Sequence, residues 1–349
     1  MYIIIAILMF GILIAVHEFG HFTAAKLCGV RVEEFSIGMG PALWKHRRGE
    51  TLYALRALPL GGYCAMTGED EDSDDPRAFI NQKAWRKLII LVAGSFMNFL
   101  LGLVLIYLMY AGAEAFVVPA IDSFMDNCPY ESESGLQVGD EFYSIDGKRI
   151  NLVTDVSDFL SKGDGTYDIV VLRDGEKVEL NDFALSLREY DGYEGQKYGF
   201  IFSYKEADFP AKLEFTWKTA KEFSRWVWMG LQDLVNGKVG LQEMSGPVGI
   251  VDMMNDVGQS AETTRMAVDN MLYFSAFIAI NLAIMNMLPI PALDGGRVFL
   301  LIVTVIIEAI TRRKLNPKYE GYINTVGMAL LLGLMAVVMF NDVWKLFRG

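Results

Sequence analysis

Two histidines and a glutamate lie within five consecutive residues, His17-Glu18-Phe19-Gly20-His21. On a helix, residues four apart share one face and lie one turn apart, so the two imidazoles can hold one zinc ion. Glu18 lies beside them, where its carboxylate can take a proton from water activated by the metal. The motif is short and also occurs by chance, so its surroundings must decide whether it does chemistry.

The apolar run that carries this motif, residues 2–25, predicts a transmembrane helix with polar residues in its second half. The run fits a signal peptide poorly, because no basic residues precede it and no small-residue cleavage site follows it. Two imidazoles and a carboxylate are costly to place in hydrocarbon, and ionisable residues at that depth are functional by default. Their position therefore favours a metal site over a purely structural role in helix packing.

A catalytic zinc ion needs a third protein ligand and one open position for water. His46 is a poor candidate, because it falls in a predicted strand among basic residues. Asp294 is the only acidic residue between Asp269 and Glu308, and two prolines and two glycines surround it. Broken backbone at membrane depth must be buried in protein or line a cavity, where this carboxylate can reach a metal. Capping a helix over 298–310 explains the aspartate equally well, and the local pattern does not decide.

The elements that would position these residues follow from the distribution of apolar residues. The chain has 349 residues, of which 52% are hydrophobic. Four nearly charge-free stretches approach the ~20 apolar residues that cross a bilayer, and we predict transmembrane helices over 2–25, 88–113, 271–288 and 322–340. This pattern excludes a simple cytosolic globular protein. An amphipathic helix is expected over 210–243, where the aromatic residues suit either a membrane surface or internal packing.

A strand-rich region follows the first helix. Short strands are predicted near 32–38, 42–47 and 51–60. The alternating run TLYALRAL leads into a Gly61-Gly62 bend, and we expect the edge over 51–63, with these two glycines, to bind an extended substrate segment through main-chain hydrogen bonds. A substrate helix must first unwind, because helical hydrogen bonds occupy its carbonyl groups.

The net charge of −12 is localised. Residues 112–208 carry 21 acidic and 8 basic side chains, and the rest of the chain is nearly neutral. The lack of a basic face argues against nucleic-acid binding. Tight turns at Asp146-Gly147 and Asp174-Gly175, between segments of strand character, predict one small domain over 114–205.

The basic residues predict how the chain crosses the membrane, because loops rich in Lys and Arg stay cytoplasmic. The loop over 26–87 holds ten of them, and the loop before the fourth helix holds Arg312, Arg313, Lys314 and Lys318. Both loops are cytoplasmic only if the chain spans four times with its N-terminus outside. The acidic domain and the C-terminus are then also expected outside.

Two distant motifs, HEFGH at 17–21 and NMLPIPALDGG at 286–296, resemble the paired motifs of the site-2 proteases, which are intramembrane zinc metalloproteases. Further blocks in the same order resemble the bacterial branch, the regulator-of-sigma-factor proteases. They are FSIGMGP at 35–41, LGGY at 60–63, AGSFMNFLLG at 93–102, SGPVGI at 245–250 and FNDVWKLF at 340–347. The resemblance covers nearly the whole chain.

The resemblance implies a set of site residues. It implies that His17, His21 and Asp294 bind zinc and that Glu18 is the general base. It also implies that Asn286 helps to hold the substrate. These roles come from the family, and they favour the ligand role of Asp294 over the capping role.

The expected fold is an α-helical polytopic membrane protein with four transmembrane helices, a membrane-associated β-hairpin sheet and one inserted PDZ-like α+β domain. The resemblance implies that the PDZ-like domain is extracytoplasmic, and one such segment is visible where some relatives carry two in tandem. The expected domains are 1–113 with helices one and two, HExxH and the sheet; 114–205, PDZ-like; 206–269, an amphipathic connection; and 270–349, helices three and four with the LDGG motif.

The activity implied by the resemblance is intramembrane zinc endopeptidase activity in a bacterial plasma membrane. Its expected partners are single-span membrane proteins, such as anti-sigma factors or remnant signal peptides, and the lipid bilayer. A membrane-anchored PDZ scaffold with a non-catalytic metal site is the main alternative, although a scaffold has no need for Glu18 beside the ligands. A transporter is a weaker alternative, because four spans without an inverted repeat do not match that class.

Overall fold

A computed structural model describes residues 2–69, 71–238, 240, 246–312 and 318–348. The chain divides into two compact units, a helical unit of Met1–Met109 with Phe223–Gly349 and an acidic unit of Tyr110–Glu222. The described helices are α1 Tyr2–Leu27, α2 Ala84–Tyr110, α3 Val153–Lys162, α4 Phe209–Val235, α5 Pro247–Gln259, α6 Thr264–Asn286, α7 Asp294–Thr311 and α8 Lys318–Arg348. The described strands are β1 Val32–Arg48, β2 Thr51–Met66, β3 Ala115–Phe124, β4 Glu141–Ile145, β5 Lys148–Arg149, β6 Thr166–Arg173, β7 Glu176–Ala184, β8 Arg188–Glu189, β9 Gln196–Lys197 and β10 Phe200–Glu206.

Four helices are long and apolar enough to cross a membrane, namely α1, α2, α6 and the part of α8 over Gly321–Asp342. These are the four stretches predicted from the sequence. The helix α6 begins seven residues earlier than predicted, because the Thr263 side chain caps it by accepting a hydrogen bond from the Met266 N–H. Of the basic loop that helped to predict the topology, Arg313 and Lys314 lie outside the described residues.

The strands β1 and β2 form one antiparallel hairpin, so the prediction of three separate short strands was wrong. Each strand bends and contributes two segments, because glycines with positive φ such as Gly38 and Gly61 turn the chain. The 34–37 segment of β1 pairs with both 52–55 and 62–65 of β2.

The bent hairpin has two outer segments, 62–65 on one side and 44–47 on the other. The 52–55 segment pairs with 34–37 on one side and with 44–47 on the other, so its hydrogen-bonding groups are used on both sides. Among the described strands, none pairs with the outer side of 62–65. The expectation of an open edge over 51–63 is therefore wrong for 52–55, whereas 62–65 has an unpaired outer side among the described strands.

The acidic unit is an α+β structure. Its main sheet has the strand order β10-β3-β4-β6-β7, and β5 pairs with β4 beside that path. Fully buried side chains of Leu136, Phe142 and Leu160 belong to its core. The turns predicted at Asp146-Gly147 and Asp174-Gly175 are present, with positive φ at all four residues.

The helical unit is built around α1, which packs against α5, α6 and the hairpin. Buried residues of the three helices, Ala6, Leu13, Met254, Met271, Ile278 and Ala279, form one cluster. The N-terminus of α5 is capped from α8, since the buried Asp342 carboxylate accepts hydrogen bonds from the N–H groups of Gly246 (3.2 Å) and Gly249 (3.0 Å). Ser245, at the start of the SGPVGI block, lies outside the described residues.

Candidate metal centre

Helix α1 places His17 and His21 one turn apart, with their Nε2 atoms 3.2 Å from each other. The His21 ring is held from behind by α2, because its Nδ1–H donates a hydrogen bond of 2.8 Å to the carbonyl of Ile90. A carbonyl can only accept, so Nδ1 carries the proton and Nε2 keeps its lone pair. This is the arrangement that metal-binding histidines use.

Asp294 is the first residue of α7. Its Oδ2 atom lies 3.1 Å from Nε2 of His17 and 3.2 Å from Nε2 of His21. The N-cap position belongs to Leu293, whose side chain makes no capping hydrogen bond. Of the two roles that the local sequence left open, the carboxylate is placed for the ligand role.

Two glycines allow Asp294 to reach this position. A Cβ atom on Gly295 would lie 2.2 Å from the carbonyl carbon of Met287, and one on Gly296 would lie 2.1 Å from the Ile290 oxygen. These neighbours are backbone atoms, which cannot turn aside as a flexible side chain can. The first turn of α7 therefore lies directly on the loop that precedes it, and this contact aims the carboxylate at α1.

The three ligand atoms have the spacing of a zinc site. Their mutual distances are 3.1, 3.2 and 3.2 Å, and ligands of tetrahedral zinc with bonds of 2.0–2.1 Å lie about 3.3 Å apart. The buried Oδ2 of Asp294 makes no hydrogen bond of acceptable geometry to a described residue, although both nitrogens lie within 3.2 Å. A buried, unsatisfied carboxylate oxygen facing two imidazoles fits a cation between them, because burying such a group alone is unfavourable.

Glu18 lies on α1 beside the ligand cluster and is half-buried. It interacts electrostatically with both histidines, with Asp294 and with Glu69. It also meets the hairpin, since a Cβ atom on Gly62 would lie 3.1 Å from the Cγ atom of Glu18. The outer hairpin segment therefore runs past the candidate base, with only a glycine between them.

Helix α2 forms the wall behind the ligands, and sequence reasoning missed its role. A Cβ atom on Gly94 would lie 2.3 Å from Nε2 of His21 and 2.8 Å from Cε1 of His17. Asn98, one turn further along, is buried, and its Nδ2 lies 3.5 Å from Nδ1 of His17. Both residues belong to the AGSFMNFLLG block, which the sequence singled out only by resemblance.

A second missed feature is the ion pair between Glu69 and Arg297. Glu69 follows the hairpin, and Arg297 lies one turn after Asp294 in α7. Both side chains are largely buried. This ion pair therefore connects the residues that follow β2 to α7, the helix that carries the candidate carboxylate ligand. Two charges 228 residues apart give no local signal of their pairing.

Two predicted site residues lie apart from the ligand cluster. Asn286 is the last residue of α6, and in the described part of the chain its side chain makes no hydrogen bond to the candidate ligands. Gly61 lies at the hairpin bend, where φ is 86° and a Cβ atom would meet the flexible side chain of Met39. The structure therefore does not bring these two residues to the candidate metal ligands.

Comparison with known proteins covers nearly the whole chain. The model of peptidase family M50 matches residues 5–334. A protein of Clostridium acetobutylicum is 38% identical over 348 residues, which cover 98% of this chain and 97% of that protein. One of Clostridium perfringens is 36% identical over 347 residues, which cover 98% of each. Both carry the name "Putative zinc metalloprotease".

A more distant relative carries a more specific name. A protein of Bacillus subtilis named "Regulator of sigma-W protease RasP" is 26% identical over 429 aligned positions, which cover 99% of each chain. The similarity to all three relatives therefore runs from end to end and includes both segments that carry the candidate ligands.

Proposed function

The chain belongs to peptidase family M50 and is a zinc metalloprotease of the site-2 protease type, and we propose that it cleaves the membrane-spanning segments of single-span proteins. One observation carries this proposal. Two candidate ligands and the candidate base lie on α1, a helix with the length and composition of a membrane span. A metal site on such a helix would lie at membrane depth, where membrane-embedded substrates can reach it.

We assign His17, His21 and Asp294 as the zinc ligands and Glu18 as the general base. Bound zinc would polarise the scissile carbonyl and lower the pKa of water. The Glu18 carboxylate accepts the proton of the attacking water and delivers it to the leaving amine. The half-buried position of Glu18 beside the ligands supports this assignment.

The substrate must be extended at the cleavage point, because helical hydrogen bonds otherwise shield its carbonyl groups. We assign the 62–65 segment as the edge that holds it, since adding a strand there replaces the lost helical bonds with main-chain bonds. The contact between Gly62 and Glu18 supports this assignment, because a strand on that edge lies next to the base. Gly61 would shape the bend, and Asn286 would hold the substrate from the end of α6.

The position of each part relative to the membrane belongs to the same proposal. We place the N-terminus and the 114–205 domain outside the plasma membrane and the 26–87 loop inside, on the distribution of Lys and Arg. The α+β composition of the acidic unit supports a PDZ-like domain at 114–205. Residues 206–269 would connect it to the LDGG-bearing part over 270–349.

The proposed substrates each cross the membrane once, and they are either anti-sigma factors or remnant signal peptides. The name of the Bacillus subtilis relative supports the first of these classes. The proposed PDZ-like domain would admit substrates whose outer part has already been removed.

The position of the cut tests this function directly. The purified full-length chain in detergent is incubated with a single-span substrate, and the products are mapped by mass spectrometry. We expect the cleaved bond inside the apolar span. Cleavage only in the polar flanks of the substrate would contradict intramembrane proteolysis.

The proposed substrate edge has its own test. Proline, which lacks an N–H group, is introduced singly at Tyr63, Cys64 and Ala65. We expect turnover to fall in at least one variant. Lys45→Pro, in the opposite outer segment of the hairpin, is the matched control and should leave turnover near the native value. If none of the three differs from this control, the 62–65 segment is not the substrate edge.

A further inference from the structure

Each histidine that binds zinc through Nε2 must carry a proton on Nδ1, and that proton needs an acceptor. For His21 the acceptor is the Ile90 carbonyl of α2, 2.8 Å away. For His17 the polar group beside Nδ1 is the Asn98 side chain, also on α2. The two candidate ligands are therefore supported from one helix, but by different chemical groups.

The Asn98 amide lies with its Nδ2 group 3.5 Å from Nδ1 of His17. The side chain is 1% exposed, and its Oδ1 has no hydrogen-bond partner among the described residues. In this orientation Asn98 can only donate, which suits a His17 ring whose proton is on Nε2. That ring cannot bind a metal through Nε2.

Rotating the side-chain amide of Asn98 by a half-turn exchanges the positions of Oδ1 and Nδ2 and leaves the shape of the side chain nearly unchanged. The oxygen then faces Nδ1 of His17 and can accept its proton, and a small ring rotation brings the pair to the usual distance of about 2.9 Å. Building on the zinc ligand assignment made above, we propose that Asn98 is a positioning residue. Its Oδ1 holds the proton on Nδ1 of His17, and this leaves Nε2 free for zinc.

The spacing along α2 supports this role. Ile90, Gly94 and Asn98 are four residues apart and so lie along one face of the helix. Gly94 provides the room for the two imidazoles, and the acceptors for His21 and His17 lie one turn before and one turn after it. One rigid helix therefore sets the orientation of both rings.

The test compares three full-length variants in detergent by competition with a zinc chelator. Asn98→Leu keeps the size of the side chain but has no hydrogen-bond acceptor. Asn98→Ala removes both the side-chain volume and the acceptor, and Asn98→Asp keeps an acceptor. We expect the first two to bind zinc about 10–100-fold more weakly than the native chain, the usual effect of losing such a partner. Asn98→Asp should bind at least as tightly as the native chain.

A role in packing alone gives a different pattern, since Asn98→Leu would then keep the native affinity. That result, or an Asn98→Asp variant as weak as Asn98→Leu, overturns the proposal. A native chain that binds no zinc, or a His17→Ala variant that binds it normally, would instead overturn the ligand assignment itself. The two failures are therefore distinguishable.

A spectroscopic measurement tests the role of Asn98 even if the Asn98→Leu or Asn98→Ala variant folds poorly. The chain has only three histidines, so long-range ¹⁵N–¹H spectra of the zinc-loaded native and Asn98→Asp chains are simple to assign. We expect slowly exchanging Nδ1 protons on both His17 and His21. The His21 proton, held by Ile90, is the internal reference. Rapid exchange at His17 with slow exchange at His21 would contradict the role of Asn98.

Discussion

A single methyl group at Gly94 is expected to weaken zinc binding strongly, although it replaces none of the candidate ligands. In Gly94→Ala the new Cβ atom would lie 2.3 Å from Nε2 of His21, where ordinary contact begins at 3.4 Å. The ring must therefore retreat by about 1 Å. Zinc–ligand distances tolerate only about 0.2 Å, so the displacement is several-fold too large. Since loss of an outer partner already costs about 10–100-fold in affinity, we expect at least about 100-fold here.

The assay for this prediction is zinc affinity by chelator competition, with thermal unfolding in detergent as a check on folding. Gly102→Ala is the matched control, because it adds the same methyl group two turns further along α2. There the Cβ atom would lie 2.6 Å from Cγ1 of Ile280, which is not one of the candidate ligands. We expect this control to lower the unfolding temperature and to keep the native zinc affinity.

Two results would refute the reasoning about Gly94. Native zinc affinity in Gly94→Ala would mean that α2 does not lie against the metal face of the two histidines. Equal loss of zinc in Gly94→Ala and Gly102→Ala would mean that the affinity follows general packing rather than the space beside His21.

Three further predictions concern the scaffold around the site. Asp342→Ala leaves the N-terminus of α5 uncapped and should cost about 1–2 kcal/mol in thermal unfolding, whereas Asp342→Asn, which keeps an acceptor, should cost less. Gly295→Ala pushes against backbone and should lower stability by about 1–3 kcal/mol, and zinc content should fall with it. Hydrogen bonds from Arg77 and Lys26 lower the pKa of Glu50 to about 2. These three side chains are partly exposed, so Glu50→Gln should cost less than about 1 kcal/mol at neutral pH. Because the folded pKa lies below the unfolded value of about 4.3, the native advantage over Glu50→Gln should vanish as the pH falls from there towards 2.

The local part of the site could be predicted from the sequence. The four-residue spacing of His17 and His21 places both on one helix face because helical periodicity is a local property. The four apolar stretches predicted the candidate spans for the same reason. The pairing of these histidines with Asp294 joins residues more than 270 positions apart, so the local pattern left a helix cap and a metal ligand equally open.

The remaining features depend on tertiary contacts. The hairpin was predicted as three short strands because glycines such as Gly38 and Gly61 interrupt the strand pattern, whereas in the structure they bend two long strands. Gly94 and Asn98 lie inside an apolar helix, and nothing in that run shows which neighbour they face. Only the packing of α2 on α1 gives them a role.

The most direct test of the central claim compares the native chain with Glu18→Gln, using purified protein, a single-span helical substrate and a count of bound zinc. We expect about one zinc ion in each form and cleavage by the native chain alone, because the substitution removes the base and leaves the ligands intact. Equal cleavage by both forms would contradict the role of Glu18. Loss of zinc from Glu18→Gln would contradict the assignment of His17, His21 and Asp294 as a sufficient ligand set.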